Sequence, residues 1–262
     1  MSTFQDTQTT SENQIKASCW QPFPDIEWVS GGISTLADGA MAWGHAPDHE
    51  IAANRRGFLM KTGCLPQQAV AIDQVHGVEI VRVAKSDANR GINSPESRIP
   101  ATDGMITNTP DLVLVTSHAD CAPLFLLDEK YRAIGLVHAG WKGILAGIAG
   151  KAIRSMQGEF KTDVGDLRVA VGPMISSSCY EVSDDLASRF TNRFGVQVVN
   201  RMNERPHLDL FSCLIIDSLR HGLDPARIPH RPPCTFRDSR YSSFRREGEW
   251  MKGMIANFRI HA

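Results

Sequence analysis

Three short apolar runs set the strongest limit on this chain's fold: Leu112-Val113-Leu114-Val115, Leu124-Phe125-Leu126-Leu127 and Ala133-Ile134-Gly135-Leu136-Val137. Each has strand length and no polar alternation, the pattern of a central strand buried on both faces. An Asp120-Cys121 turn separates the first two, and a hairpin over 128–132 separates the last two. From Gly143 the period changes. Ile144, Leu145, Ile148, Ala149, Ala152, Ile153 and Met156 recur at helical spacing, so a helix is predicted to start just after Trp141-Lys142. Val78 to Val83 alternates as a half-buried strand, and Leu167 to Val171 reads as another buried one. Ser183 or Asp184 can cap a helix carrying Leu186, Phe190 and Phe194, and Asp209 to His221 reads as a further helix stopped by Gly222. Lys85 to Asp103 is polar and long enough to be a functional loop or lid. Strands grouped centrally with helices packed over them predict an α+β (mixed α/β) layered sandwich, its central mixed β-sheets flanked by helices.

At 262 residues the chain suits one large domain or two small ones and needs no disulfide or metal to hold a core. Lys and Arg (28) nearly balance Asp and Glu (29) and are spread along the chain, which excludes the concentrated basic face of a nucleic-acid module. No apolar run is long enough to span a bilayer. Met1 to Trp20 is polar, without the basic and apolar regions of a secretory signal. Six cysteines (19, 64, 121, 179, 213 and 234) include no Cys-x-x-Cys pair, which predicts a reduced, cytoplasmic protein. The phosphate-loop, dinucleotide-fold, zincin, α/β-hydrolase and nucleobase-deaminase signatures are absent.

Chemistry concentrates in Asp73-Gln74-Val75-His76-Gly77, Ala119-Asp120-Cys121-Ala122-Pro123 and His138-Ala139-Gly140-Trp141-Lys142-Gly143. Each sets a His or Cys at a strand end beside small residues, where α/β proteins build sites. Two imidazoles and one thiolate would give a zinc ion three protein ligands and an open fourth position, the pattern of a catalytic zinc. Water there would be acidified to a pKa of about 7. The same residues also fit plainer roles, the cysteine as a small buried hydrophobe and the histidines as hydrogen-bonded structure. Separations of 45 and 17 residues match no compact zinc finger (121 − 76 and 138 − 121).

At these segments the chain resembles the multicopper polyphenol oxidase (laccase-domain) family, also described as zinc-dependent purine nucleoside phosphorylases. That family is built around Gln-Val-His-Gly, Ala-Asp-Cys-x-Pro and His-Ala-Gly-Trp-x-Gly, which stand here as 74–77, 119–123 and 138–143. Further matches are Gly31 to Ser34, Asn54-Arg55, Asp103 to Thr107, Val171 to Pro173, Cys179 to Val182, Asp209-Leu210, Cys234-Thr235 and Tyr241 to Arg246. The resemblance implies metal ligation by His76, Cys121 and His138, which would also form the catalytic centre. It implies a fold similar to a bacterial deamidating toxin and a single catalytic domain over 26–262, which leaves the polar stretch 1–25 as a flexible tail. The implied chemistry is phosphorolysis of adenosine, inosine, guanosine and methylthioadenosine, with deamination of adenosine to inosine.

Arg55, Lys142 and Arg245 are candidates for a phosphate subsite, since guanidinium and ammonium groups suit oxyanions. Trp141 and Phe244 are candidates for stacking on a purine. Asp120, Asp73 and Glu181 are candidate general acids. The expected partners are a purine nucleoside and phosphate, with no nucleic acid or membrane, in a monomer or homodimer. The chain departs from the family pattern at His118 (usually Thr), Val29-Ser30 (Thr-Arg), Ala42-Trp43 (Asn-Leu) and Glu249-Trp250-Met251 (Thr-Gly-Arg). An extended strand would turn His118 away from Cys121, in a structural role.

Three other functions compete. Cys121 and His138 could act as nucleophile and base of an amidohydrolase on small amides or cell-wall precursors. A His2Cys set can bind copper, as a polyphenol oxidase requires, but the nine histidines contain no His-x-His pair. The departures at Ser30, Ala42 and Glu249 would suit a non-catalytic, zinc-stabilised partner protein.

Overall fold

The computed structural model describes residues 20–262. In chain order the elements are Val29–Ile33 (β1), Asp48–Lys61 (α1), Ala69–Ala71 (β2), Ile80–Arg82 (β3), Gly104–Thr107 (β4) and Val113–His118 (β5). Ala122–Asp128 (β6), Ala133–Ala139 (β7), Trp141–Ala146 (α2), Ile148–Phe160 (α3), Arg168–Val171 (β8) and Asp184–Phe194 (α4) follow. Val199–Met202 (β9), Arg205–Leu208 (β10), Leu210–Arg220 (α5), Phe244–Glu247 (α6) and Met254–Ile260 (β11) complete the series.

Two mixed sheets form the centre. One has the order β1-β11-β5-β2, with only β2 and β5 parallel; the other has the order β3-β4-β7-β6-β8, with only β3 and β4 parallel. The alternation of strand side chains assembles the layers. Phe125 and Leu127 of β6, Ile134 and Leu136 of β7, Leu114 of β5, and Ala256 and Phe258 of β11 meet between the sheets. Leu124, Leu126 and Val137 face the opposite way, onto α3 and α5. Val113, Val115 and Ile255 pack against Phe58 and Leu59 of α1. Every residue of β6 and β7 is buried, which explains their unbroken apolar character. The order is helix, sheet, sheet, helices, a layered α+β sandwich.

The single helix predicted after Gly143 is two, α2 and α3. They break at Gly147, whose φ of +91° is left-handed and ends the helical ladder. A Cβ there would also lie 2.5 Å from Arg193 Nη2. Positions 1–19 of the expected tail lie outside the described residues. Within positions 20–25, Phe23 is buried, the Trp20 ring sits 5.3 Å from that of Phe125, and the exposed Asp25 receives both terminal nitrogens of Arg168 at 2.8 and 2.9 Å. Two aromatics in a polar stretch cover the inter-sheet core there, so the packed chain starts before residue 26.

Helix α5 shows how the polar ends are secured. Asp209 caps it by accepting from Ser212 N at 3.0 Å, and its other carboxylate oxygen meets Arg231 Nη2 at 2.7 Å. Burial works to raise the Asp209 pKa, but Arg231 and Ser212 outweigh it and hold the carboxyl below its ordinary 3.8. A carboxyl depressed in the folded state contributes stability above its unfolded pKa and loses it as pH falls through the folded one. Asn caps a helix as well as Asp, so Asp209→Asn removes the charge and keeps the cap. Denaturant melts between pH 2 and 6 are expected to show the variant less stable than wild type near pH 6, with the gap closing below about pH 4.

Candidate metal centre

His76 lies in the loop after β2, with a left-handed backbone (φ +59°) that non-glycine residues seldom adopt. Two devices hold this loop. Gln74 exchanges hydrogen bonds with Ser117 of β5 in both directions, each 2.7 Å. The carboxylate of Asp103, immediately before β4, accepts from His76 N at 2.9 Å and Gly77 N at 2.6 Å. Cys121 occupies the turn between β5 and β6, where Asp120 is also left-handed (φ +75°). The buried Asp120 carboxylate accepts from Thr235 Oγ1 at 2.6 Å and Arg245 N at 2.7 Å, pinning the turn to the C-terminal part of the chain. His138 is the penultimate residue of β7, and its Nδ1 lies 3.0 Å from Asp103 Oδ1.

These local arrangements bring His76, Cys121 and His138 together, with one donor atom from each residue lying within 4.8 Å of the others. His138 is buried, Cys121 half-buried and His76 exposed, so the cluster opens to solvent on one side. Gly140 borders the cluster. A Cβ on Gly140 would stand 2.6 Å from His76 Cδ2 and 3.2 Å from Cys121 Sγ. Two imidazole nitrogens and one sulfur around a space kept clear by a glycine fit a borderline-soft cation.

The same proximity governs protonation. Burial raises the Cys121 thiol, but the neighbouring His138 and His76 more than reverse this, bringing its pKa down to about 6. Burial opposes charge on His138, yet Cys121 and Asp103 outweigh it and lift the pKa to about 9. Without a cation the two residues therefore form a thiolate–imidazolium pair at neutral pH.

His118 is not part of the donor set. Its Nδ1 donates to Cys121 O at 3.2 Å, and its Nε2 accepts from Thr116 Oγ1 at 2.7 Å. Burial holds its pKa well below the usual range, so the ring stays neutral. It supports the backbone of the Cys121 turn.

Of the candidate phosphate ligands, Arg55 is misplaced. It is 1% exposed and donates to Met41 O, Gly91 O and Ser117 Oγ, with its guanidinium 4.9 Å from the Trp43 ring centre. Burial lowers its pKa to about 9. It is an internal cross-brace, and the sequence carries the signal: Ile51, Arg55, Phe58 and Leu59 share one face of α1. Lys142 is exposed in the first turn of α2, with its ammonium 5.7 Å from the Trp141 ring centre. Arg245 gives its backbone N–H to the Asp120 clamp; its side chain donates to Glu181 O at 2.8 Å and lies 5.0 Å from the Tyr180 ring centre.

Trp141 is partly buried against the helix-side core, whereas Phe244 is 57% exposed next to Arg245. Among the candidate acids, Asp73 pairs with Arg98 at 2.9 Å and Glu181 with Arg205 at 3.0 Å, while both Asp120 oxygens are engaged by the clamp. Asp103 carries no role in the sequence reading, because its partners are backbone groups and one ring remote in sequence.

A family model described as multi-copper polyphenol oxidoreductase laccase matches residues 30–260. The chain is 33% identical to the purine nucleoside phosphorylase YlmD of Geobacillus stearothermophilus over 135 residues, 52% of this chain and 49% of that protein. The match therefore spans about half of that relative's length. A purine nucleoside phosphorylase of Bacteroides thetaiotaomicron is 26% identical over 224 residues, covering 83% of each chain. The crystal structure of YlmD from Geobacillus stearothermophilus superposes with a TM-score of 0.86 at 24% identity, covering 91% of this chain and 94% of the other.

Proposed function

The chain belongs to the multi-copper polyphenol oxidoreductase laccase family, and from that premise we propose that it is a zinc-dependent purine nucleoside phosphorylase that also deaminates adenosine. The observation that carries this reading is the His76–Cys121–His138 cluster, open on one side, in a chain whose relatives are named purine nucleoside phosphorylases. His76, Cys121 and His138 would hold the ion, which supplies positive charge and an acidified water or phosphate beside the substrate. Arg245 retains donors beyond the one on Glu181 O and can take phosphate in a forked contact, with Lys142 as a further cation. Phe244 offers an exposed ring for the base. In phosphorolysis a phosphate oxygen bonds to ribose C1′ as the bond to the purine nitrogen breaks, and the base leaves with a proton.

Among the described residues no helix is long and apolar enough to cross a membrane. In the proposed reading the chain is a cytoplasmic protein acting on small molecules, as monomer or homodimer. One observation favours a second reading. The Cys121–His138 ion pair suits a metal-free cysteine amidohydrolase.

Metal analysis together with an adenosine assay separates the two. The zinc-loaded protein is expected to give adenine and ribose 1-phosphate with phosphate present, and inosine without it. Chelation is expected to stop both. Zinc-loaded protein that makes neither product overturns the proposal, and amide hydrolysis that survives chelation establishes the alternative.

A further inference from the structure

The Asp103 carboxylate is completely buried, and the four donors that reach it belong to two of the three residues of the cluster or to the neighbours of one. Oδ1 receives His76 N at 2.9 Å and His138 Nδ1 at 3.0 Å. Oδ2 receives Gly77 N at 2.6 Å and Val75 N at 3.3 Å. The backbone of Asp103 is itself fixed: its N–H donates to Glu79 O at 2.9 Å and its carbonyl accepts from His138 N at 2.7 Å. One oxygen thus binds the backbone of one candidate ligand and the ring of another.

We propose that Asp103 is a positioning residue that couples His76 to His138 and presets both for the cation. Two consequences follow from the bonds. Because a carboxylate only accepts, His138 carries its proton on Nδ1 and turns Nε2 toward the cluster. Because three successive N–H groups converge on the carboxylate, the left-handed conformation of His76 is held before any ion arrives, and binding need not supply the ordering. An acceptor on the distal nitrogen fixes the tautomer and raises the basicity of a metal-binding imidazole, and loss of such partners costs about 10–100-fold in metal affinity. Asn is nearly isosteric but places an NH2 group against N–H donors, so it cannot satisfy both edges.

The test compares Asp103→Asn and Gln74→Ala with wild type. Gln74 ties the same loop to β5 and makes no bond to His138, so it reports loop tethering alone. Far-UV circular dichroism and denaturant melts on the metal-free proteins establish that each is folded. Zinc affinity is measured by competition with a chromogenic chelator, and cobalt-loaded samples give an absorption spectrum that reports ligand geometry.

Asp103→Asn is expected to bind zinc about 10–100-fold more weakly, with an altered cobalt spectrum. Gln74→Ala is expected to lose several-fold less affinity and to keep the wild-type spectrum. Should Asp103→Asn not fold, Asp103→Glu is measured instead; it keeps the charge but displaces it by one methylene, and the same loss of affinity is expected. Zinc affinity within twofold of wild type, or an equal loss in Gln74→Ala, overturns the coupling. The inference rests on the metal reading of the cluster and not on nucleoside chemistry. A wild type that binds no zinc overturns both, whereas one that binds zinc but leaves nucleosides untouched overturns only the proposed reaction.

Discussion

Replacing Cys121 by alanine is expected to abolish stoichiometric zinc and to cut the proposed phosphorolysis by about a thousandfold or more in kcat/KM, a loss of about 4 kcal/mol of transition-state stabilisation. The sulfur is the only anionic donor in the cluster, and its pKa of about 6 leaves it charged at neutral pH. Without it the two imidazoles form a weaker, more exposed pair of ligands. The fold should survive. Cys121 is half-buried, and the turn that carries it is held by Asp120 through Thr235 and Arg245 and by His118 through the backbone carbonyl. Metal content by atomic emission, thermal melts and the adenosine assay on one preparation check the three statements together. Full zinc content in the variant would contradict the ligand role.

Gly140→Ala carries the other large effect, and it acts by volume alone. The Gly140 backbone (φ −78°, ψ 164°) is open to any residue, so alanine introduces no conformational strain. Its methyl group would nevertheless lie 2.6 Å from His76 Cδ2, 3.2 Å from Cys121 Sγ and 3.6 Å from His138 Cε1. His76 is the exposed member of the cluster and the one able to move. It is expected to swing out, leaving two ligands and a fall in zinc affinity of at least about a hundredfold. Stability of the metal-free protein should change by less than about 1 kcal/mol, as for substitutions that make no cavity and bury no polar group. Chelator competition and denaturant melts decide it: unchanged zinc affinity would show that the methyl group is accommodated without moving a ligand.

What could be read from the sequence divides along a physical line. The strands β5, β6 and β7 and the placement of Cys121 and His138 at strand ends are legible, because the apolar periodicity and the residue types are local, whereas His76 stands in the loop between β2 and β3 rather than at a strand end. The division of α2 from α3 at Gly147 was missed because the apolar spacing continues across the break, though a glycine followed by a helical run marks it. Arg55 looked like a surface cation, since its buried acceptors are backbone oxygens and a hydroxyl up to 62 residues away. Asp103 was hidden for the same reason. Its partners are the N–H groups of residues 75–77 and a ring 35 residues later. Main-chain donors leave no mark in a sequence.

The position of β11 has a consequence for how the chain is made. This late strand lies between β1 and β5, and Ile255 N donates to Ser34 Oγ across 221 residues. During synthesis at about 5–20 residues per second, β1 waits some 11–44 s for its neighbour. Until β11 is made, β1 and, once synthesised, β5 present unpaired edges, the kind that recruit foreign strands. Residues 235 and 245, which clamp Asp120, also arrive late. A growing chain therefore displays an unclamped Cys121 turn until residues 235 and 245 are made, and open sheet edges until β11 slots between β1 and β5.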